Sequence, residues 1–169
     1  MDKNIPLETE RKFLIEYPDT GLLAMQSGCR VKEIVQTYLL CDTGSLRVRK
    51  TVESGKTECR LNEKRRISEL THEEYEKVIS EEVYTELLRC ADSKRAPISK
   101  TRYAFPCGAH IIEVDVYPFW NDRAILEIEL KCEDEEYKIP DFIKVIKEVS
   151  GDKRYSNKAL AKNVVNEII

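Results

Sequence analysis

The 169-residue sequence predicts an α+β fold: an eight-stranded antiparallel β-barrel with helices packed on its outside. Three observations predict it. Apolar and polar side chains alternate with period two in eight segments set apart by turn residues. Seven of those segments carry two charges of one sign two residues apart, and so on one strand face. The opposite faces are apolar and need cover, which the few helical segments can give.

The first strand is Leu7 to Ile15, with Glu8, Glu10 and Lys12 on one face and Leu7, Thr9, Arg11, Phe13 and Ile15 on the other. Pro18-Asp19-Thr20-Gly21 breaks it, Leu22 to Met25 suggests a short helix, and Gly28 closes that element. Cys29 to Lys32 begins a return. Ile34 to Cys41 reads as the second strand, with Gln36 and Tyr38 on one face. Asp42-Thr43-Gly44-Ser45 is a hairpin turn. Leu46 to Thr51 follows with Arg47 and Arg49 together, then Glu53-Ser54-Gly55-Lys56 turns the chain into a fourth strand, Thr57 to Arg66, bearing Lys64 and Arg66.

Glu73 to Ile79, with Glu74 and Glu76, is the fifth strand. Ser80 is an N-cap for a helix to about Cys90, with Glu81 and Glu82 at its positive end. Ile98 to Phe105 (Lys100, Arg102), Ile111 to Tyr117 (Glu113, Asp115) and Ala124 to Cys132 (Glu127, Glu129) complete the eight. Pro140 is placed to open a helix that stops at Gly151, and Ser156 to cap a last one toward Ile168. Nothing resembles a linker or repeat, so residues 1–169 form a single domain.

Composition narrows the function classes. Charged residues reach 35%, yet 41% hydrophobic residues suffice for a core. A net charge of −3, from 28 basic and 31 acidic residues, argues against a nucleic-acid partner. No stretch has the ~20 apolar residues of a membrane span. Met1 to Asn4 enters the first strand without a signal-peptide core, so a cytoplasmic location is expected. The six scattered cysteines form no Cys-x-x-Cys pair and read as reduced thiols.

A single charged pair on a strand usually faces water. Seven pairs, each of one sign, make a poor solubility device, because like charges on one face repel. Turned inward they make sense. An eight-stranded barrel has room for one small ligand, and charges inside must be paired or ligated. Basic groups would hold a polyphosphate, with Arg suited to its oxygens. Clustered carboxylates without His or Cys suit Mg²⁺ or Mn²⁺. No glycine-rich phosphate loop occurs, so side chains rather than backbone amides would grip the phosphates.

Glu8-x-Glu10-x-Lys12 resembles the signature that opens the CYTH domain of the triphosphate tunnel metalloenzymes. The likeness runs on through Gln36-x-Tyr38, Arg47-x-Arg49, Asn62-x-Lys64-x-Arg66, Glu74-x-Glu76, Lys100-Thr101-Arg102-Tyr103, Glu113-Val114-Asp115 and Glu127-Ile128-Glu129. It ends in Gly151-Asp152, Tyr155-Ser156-Asn157 and Leu160-Ala161. Asn62 stands where relatives often carry Thr.

The resemblance implies metal-dependent cleavage of triphosphates, and a short free-standing domain is most similar to the bacterial inorganic triphosphatases. On that reading Lys12, Arg47, Arg49, Lys64, Arg66, Lys100 and Arg102 bind the substrate. Glu8, Glu10, Glu74, Glu76, Glu113, Asp115, Glu127 and Glu129 are the candidate metal ligands, and Glu8, Glu10, Lys12, Glu127 and Glu129 the candidate catalytic residues. The expected reaction turns inorganic triphosphate, a small-molecule substrate, into pyrophosphate and phosphate, by a monomer or homodimer with no nucleic-acid or membrane partner. The alternatives are a nucleoside or thiamine triphosphatase, a class IV-type adenylate cyclase, and a non-catalytic polyphosphate binder. Trp120, in an apparent turn beside Asn121 and Asp122, is the one candidate base platform; His72 could sit at a tunnel mouth.

Overall fold

The computed structural model describes residues 7–42 and 44–168, with Thr43 of the expected hairpin turn and the side chains of Leu7 and Glu8 outside the described set. Among the described residues nine strands form one antiparallel sheet in the order β5-β4-β3-β2-β6-β7-β8-β1-β9, closed by an additional β5–β1 pairing. They are β1 (Leu7–Glu16), β2 (Arg30–Tyr38), β3 (Ser45–Glu53), β4 (Lys56–Arg66), β5 (Thr71–Ile79), β6 (Ile98–Cys107), β7 (His110–Val116), β8 (Arg123–Leu130) and β9 (Val145–Glu148). β1 to β8 make the closed barrel that the alternating pattern predicts. Turn chemistry sets the register locally. Glu53 pairs with Lys56 across Ser54 and Gly55, whose φ angles of 49° and 76° match the strand twist.

The helices are fewer and shorter than expected: α1 (Thr20–Ala24), α2 (Glu81–Leu87) and α3 (Asn157–Leu160). Asp19, Ser80 and Ser156 each cap one, accepting from Leu22, Val83 and Ala159 amides at 3.0, 3.3 and 3.2 Å. No helix follows Pro140: residues 145–148 are β9, paired to Phe13, Leu14 and Ile15 of β1. The reason is an open backbone edge. β5 pairs with β1 only at Leu7, Glu8 and Thr9. Beyond that the edge of β1 needs partners, and β9 supplies them. The last helix also stops at Leu160 rather than running toward Ile168.

Three apolar clusters result. Phe13, Ile15, Phe105, Ile112, Val114, Leu126 and Ile128 face outward and are covered by Leu23 of α1 and by Tyr137, Ile139 and Ile143. Val48 and Cys59 face outward under Tyr84 and Leu87 of α2. The third cluster sits inside one barrel end, where Leu14, Tyr38, Ile98, Tyr117 and Ile125 meet Trp120, Tyr155, Leu160 and Ala161. Tyr38 and Val149 of this cluster also line the charged cavity. Among the described residues no helix is long and apolar enough to cross a membrane.

Candidate active site

Strand pairing brings the like-charged pairs into register around the lumen. Lys12 stands opposite Glu127, and Glu10 opposite Glu129. Glu127 stands opposite Glu113, and Asp115 opposite Arg102. On the other side Arg47 faces Asn62, and Asn62 faces Glu76. A cavity of about 1410 Å³ is lined by Glu10, Lys12, Arg47, Arg49, Lys64, Arg66, Glu74, Glu76, Lys100, Arg102, Glu113, Glu127 and Glu129. Of the expected site residues two are missing from that lining. Glu8 lies outside the described side chains, and Asp115 is fully buried against Lys100 and Arg102.

The order of strands around the ring sorts the charges. The acidic pairs of β7, β8, β1 and β5 are contiguous, and so are the basic strands β4, β3, β2 and β6. The lumen therefore has a mainly carboxylate wall and a mainly cationic wall, with Lys12 a cation on the acidic side and Glu53 and Glu58, paired with Arg30 and Arg60, acids on the basic one. β2 adds Arg30 and Lys32 to the basic wall, an eighth like-charged pair that the expected start at Ile34 leaves out. Its parity with Gln36 and Tyr38 is the signal that marks it. Arg60, Ser150, Asp152 and Lys158 also line the cavity without having been expected to.

Ion pairs concentrate where the walls meet. At one junction Arg102 holds Asp115 through two nitrogens at 2.6 and 2.7 Å, reaches Glu127 at 2.6 Å and also pairs with Glu113. Asp115, 0% exposed, pairs with Lys100 as well. Its carboxylate is consumed by two cations, so as a metal ligand it is misplaced: it is the counter-ion that lets Lys100 and Arg102 be buried. At the other junction Arg47 and Lys64 contact Glu74 at 3.2 and 3.3 Å, and Arg49 and Arg60 contact Glu76 at 3.5 and 2.6 Å.

Protonation follows from these neighbours. Burial opposes charge on Glu127, but Lys12, Arg102 and Lys100 outweigh it and hold its pKa well below the carboxylate range. Burial also opposes charge on Lys12, yet Glu127 and Glu10 keep its pKa above the ordinary value. Lys100, desolvated and beside Arg102, is pushed down to about 8 despite Asp115. Arg49 is lowered to about 10 by burial and by Arg47 and Arg102, which marks a basic wall short of negative charge. Glu129 shifts the other way: burial and the neighbouring Glu113, Glu10 and Glu74 raise it.

Those acids are hard oxygen donors, and their mutual repulsion around Glu129 suits a divalent cation in kind. Among the described residues no three are gathered tightly enough to form a finished site. Glu10, Glu113 and Glu129 are the residues that would have to close on one. His72 does line the cavity, and its pKa is lowered by burial and by Lys64, with Glu10 opposing. Trp120 is no platform. It is 5% exposed, donates its indole N–H to the Val165 carbonyl at 2.9 Å and packs edge-on to Tyr117.

No family model and no curated protein sequence matches the chain. Solved structures do. The inorganic triphosphatase NE1496, in two crystal structures, is 28% identical over 94% of this chain and 97% and 99% of its own, with TM-scores of 0.54 and 0.57. PH1819 from Pyrococcus horikoshii OT3 is 22% identical over 74% of this chain and 80% of its own, at a TM-score of 0.55. A putative adenylyl cyclase from Hippeastrum, HpAC1, described as having a dominant triphosphatase activity, shares the fold at 17% identity, 73% and 80% coverage and a TM-score of 0.51. With its closed eight-stranded barrel and charged lumen, the chain has a CYTH-type triphosphate tunnel fold, shared with the inorganic triphosphatase NE1496.

Proposed function

We propose that the protein is a metal-dependent triphosphatase that hydrolyses inorganic triphosphate to pyrophosphate and phosphate. The observation that carries the reading is the segregated lumen, a cationic wall facing a carboxylate wall across one cavity. A simple polyanion binder has no use for the second wall, which weakens its field. The likeness to the triphosphatase NE1496 supports the same activity.

In this reading Arg47, Arg49, Lys64, Arg66, Lys100 and Arg102 align the phosphate chain, and Lys12 reaches it from the acidic side. Glu10, Glu113 and Glu129 would hold Mg²⁺ or Mn²⁺, with Glu8 on the same strand as a further donor. When bound, the cation supplies Lewis-acid polarisation of phosphoryl oxygens. Water attacks the terminal phosphorus, the new P–O bond forms as the bridging P–O bond breaks, and pyrophosphate leaves. The water's proton goes to a glutamate. Glu127 is a poor acceptor because Lys12 and Arg102 hold its carboxylate. The rest is positioning and electrostatic stabilisation by a rigid wall.

The test incubates purified protein with inorganic triphosphate, ATP and thiamine triphosphate, with and without divalent cation, and measures phosphate, pyrophosphate and cyclic AMP. Equimolar phosphate and pyrophosphate from inorganic triphosphate is expected, abolished by chelation. The kcat/KM should exceed that for ATP by at least ~10-fold, since the buried Trp120 leaves the base no platform. Glu129→Gln should lower kcat ~100-fold or more with a smaller change in KM. Undiminished turnover after chelation would remove the metal, and cyclic AMP as the product would make the enzyme a cyclase.

A further inference from the structure

Asn62 is 0% exposed and sits on β4 between two charged columns, opposite Arg47 on β3 and opposite Glu76 on β5. Its amide nitrogen donates to Glu74 at 3.1 Å and also to Glu76. Its carbonyl oxygen has no partner among the described residues. That orientation is dictated by chemistry: turned over, the carbonyl would face two carboxylates and the amide hydrogens would be wasted. Glu74 and Glu76 are like charges on one strand face and repel each other. Each also accepts from an arginine of β3, Glu74 from Arg47 and Glu76 from Arg49.

We propose that Asn62 is a positioning residue for the phosphate-gripping wall: its single amide pins Glu74 and Glu76, and those two carboxylates hold Arg47 and Arg49 in place for an anion. A neutral donor is the fitting group at this point. A cation would quench both carboxylates and loosen their hold on the arginines, and an acid would drive them apart. Two carboxylates of the acidic wall thus serve the basic wall as hinges and are committed to that work. The proposal rests on the triphosphatase reading for its ligand, and its test separates the two.

Tripolyphosphate binding is measured by titration calorimetry in the absence of divalent cation, alongside steady-state hydrolysis. Asn62→Leu should weaken binding and raise KM by at least ~10-fold while kcat falls less than about 3-fold, the scale of losing charge-assisted hydrogen bonds that act before the chemistry. Asn62→Thr, which keeps one donor, should recover part of the loss. In a Glu74→Gln/Glu76→Gln background, Asn62→Leu should add little, because the residue acts through those carboxylates. If Asn62→Leu does not fold, Asn62→Ala removes the donors without added bulk and takes its place in each comparison. A folded Leu or Ala variant that binds tripolyphosphate as tightly as the parent overturns the proposal. So does full additivity in the double background. A parent that binds without hydrolysing, with binding still weakened by the variant, overturns the triphosphatase reading and leaves Asn62 its role.

Discussion

Replacing Asp115 with Asn tests whether that carboxylate holds the cationic wall together or serves a metal. The Asp115 side chain is fully buried and accepts from Lys100 and from two nitrogens of Arg102. Breaking a buried pair by removing one partner costs about 3–5 kcal/mol, because the other charge is left uncompensated. Arg102 would keep Glu113 and Glu127. Lys100 has no second acidic partner within ion-pair distance among the described residues, so the loss falls chiefly on it. Its pKa, already about 8 with Asp115 pulling it up, would drop further, and shedding the proton limits the damage to the lower part of that range.

With an unfolding entropy of ~2.1 cal/mol/K per residue, a loss of about 3 kcal/mol lowers Tm by about 8 °C in a chain of this length. Calorimetry and urea unfolding at pH 7 measure it. Asp115 has a folded pKa held below the ordinary 3.8, against burial, by Arg102 and Lys100. Its stabilisation is therefore present above about pH 4 and is lost as pH falls through the folded value, so the gap between parent and variant should narrow in acid. A variant within about 1 kcal/mol of the parent at pH 7, or a gap that widens on acidification, would refute the counter-ion assignment.

Tripolyphosphate at 100 times its Kd should raise stability by about 2.7 kcal/mol, or roughly 8 °C in Tm, by relieving the repulsion that lowers Arg49; an unmoved melting curve would contradict an anion site. Lys100→Met should remove a pH dependence. Between the folded pKa of about 8 and the ordinary 10.5 the unfolded chain holds more protons, so this group makes stability rise with pH, by up to ~3 kcal/mol across that window. Urea midpoints of parent and variant from pH 7.5 to 10.5 should converge on no such difference if the shift is absent. Trp120→Phe should lower stability by ~1–2 kcal/mol through loss of the Val165 hydrogen bond. Its preference between inorganic triphosphate and ATP should be unchanged, and an altered preference would return Trp120 to the binding site.

Most of the barrel was legible because a strand declares its two faces every second residue, and the repeated like-charged pairs made the inward face conspicuous. What period two cannot give is the order of strands around the ring. The division into an acidic and a basic wall exists only because β7, β8, β1 and β5 are neighbours. Arg30 and Lys32 escaped because Cys29 to Lys32 reads as a return after Gly28, though their parity continues that of Gln36. Residues 141–148 carry Phe142, Ile143, Val145 and Ile146 behind Pro140, spacing a helix would also use. The unpaired edge of β1 decides the contest, and an edge is a tertiary fact. Trp120 looked exposed because its neighbours Asn121 and Asp122 are polar; the C-terminal segment that covers it lies far along the chain.

The narrow junction of β1 with β5 bears on how the molecule assembles. Thr9 meets Thr71, 62 residues further on, and Leu130 later still. Hairpins such as β3–β4 and β6–β7 can form from neighbours in sequence, but the ring cannot shut until both distant partners of β1 exist. Until then every arginine and glutamate of the lumen stays hydrated, and nothing has been spent on burying them. Shutting the ring imposes that whole dehydration in one event, which favours an all-or-none transition and a slow final step. Amide exchange at Glu10, whose N–H is held by the Leu70 carbonyl at 3.1 Å, should then report the same opening free energy as the centre of β8, since neither can be released without the other.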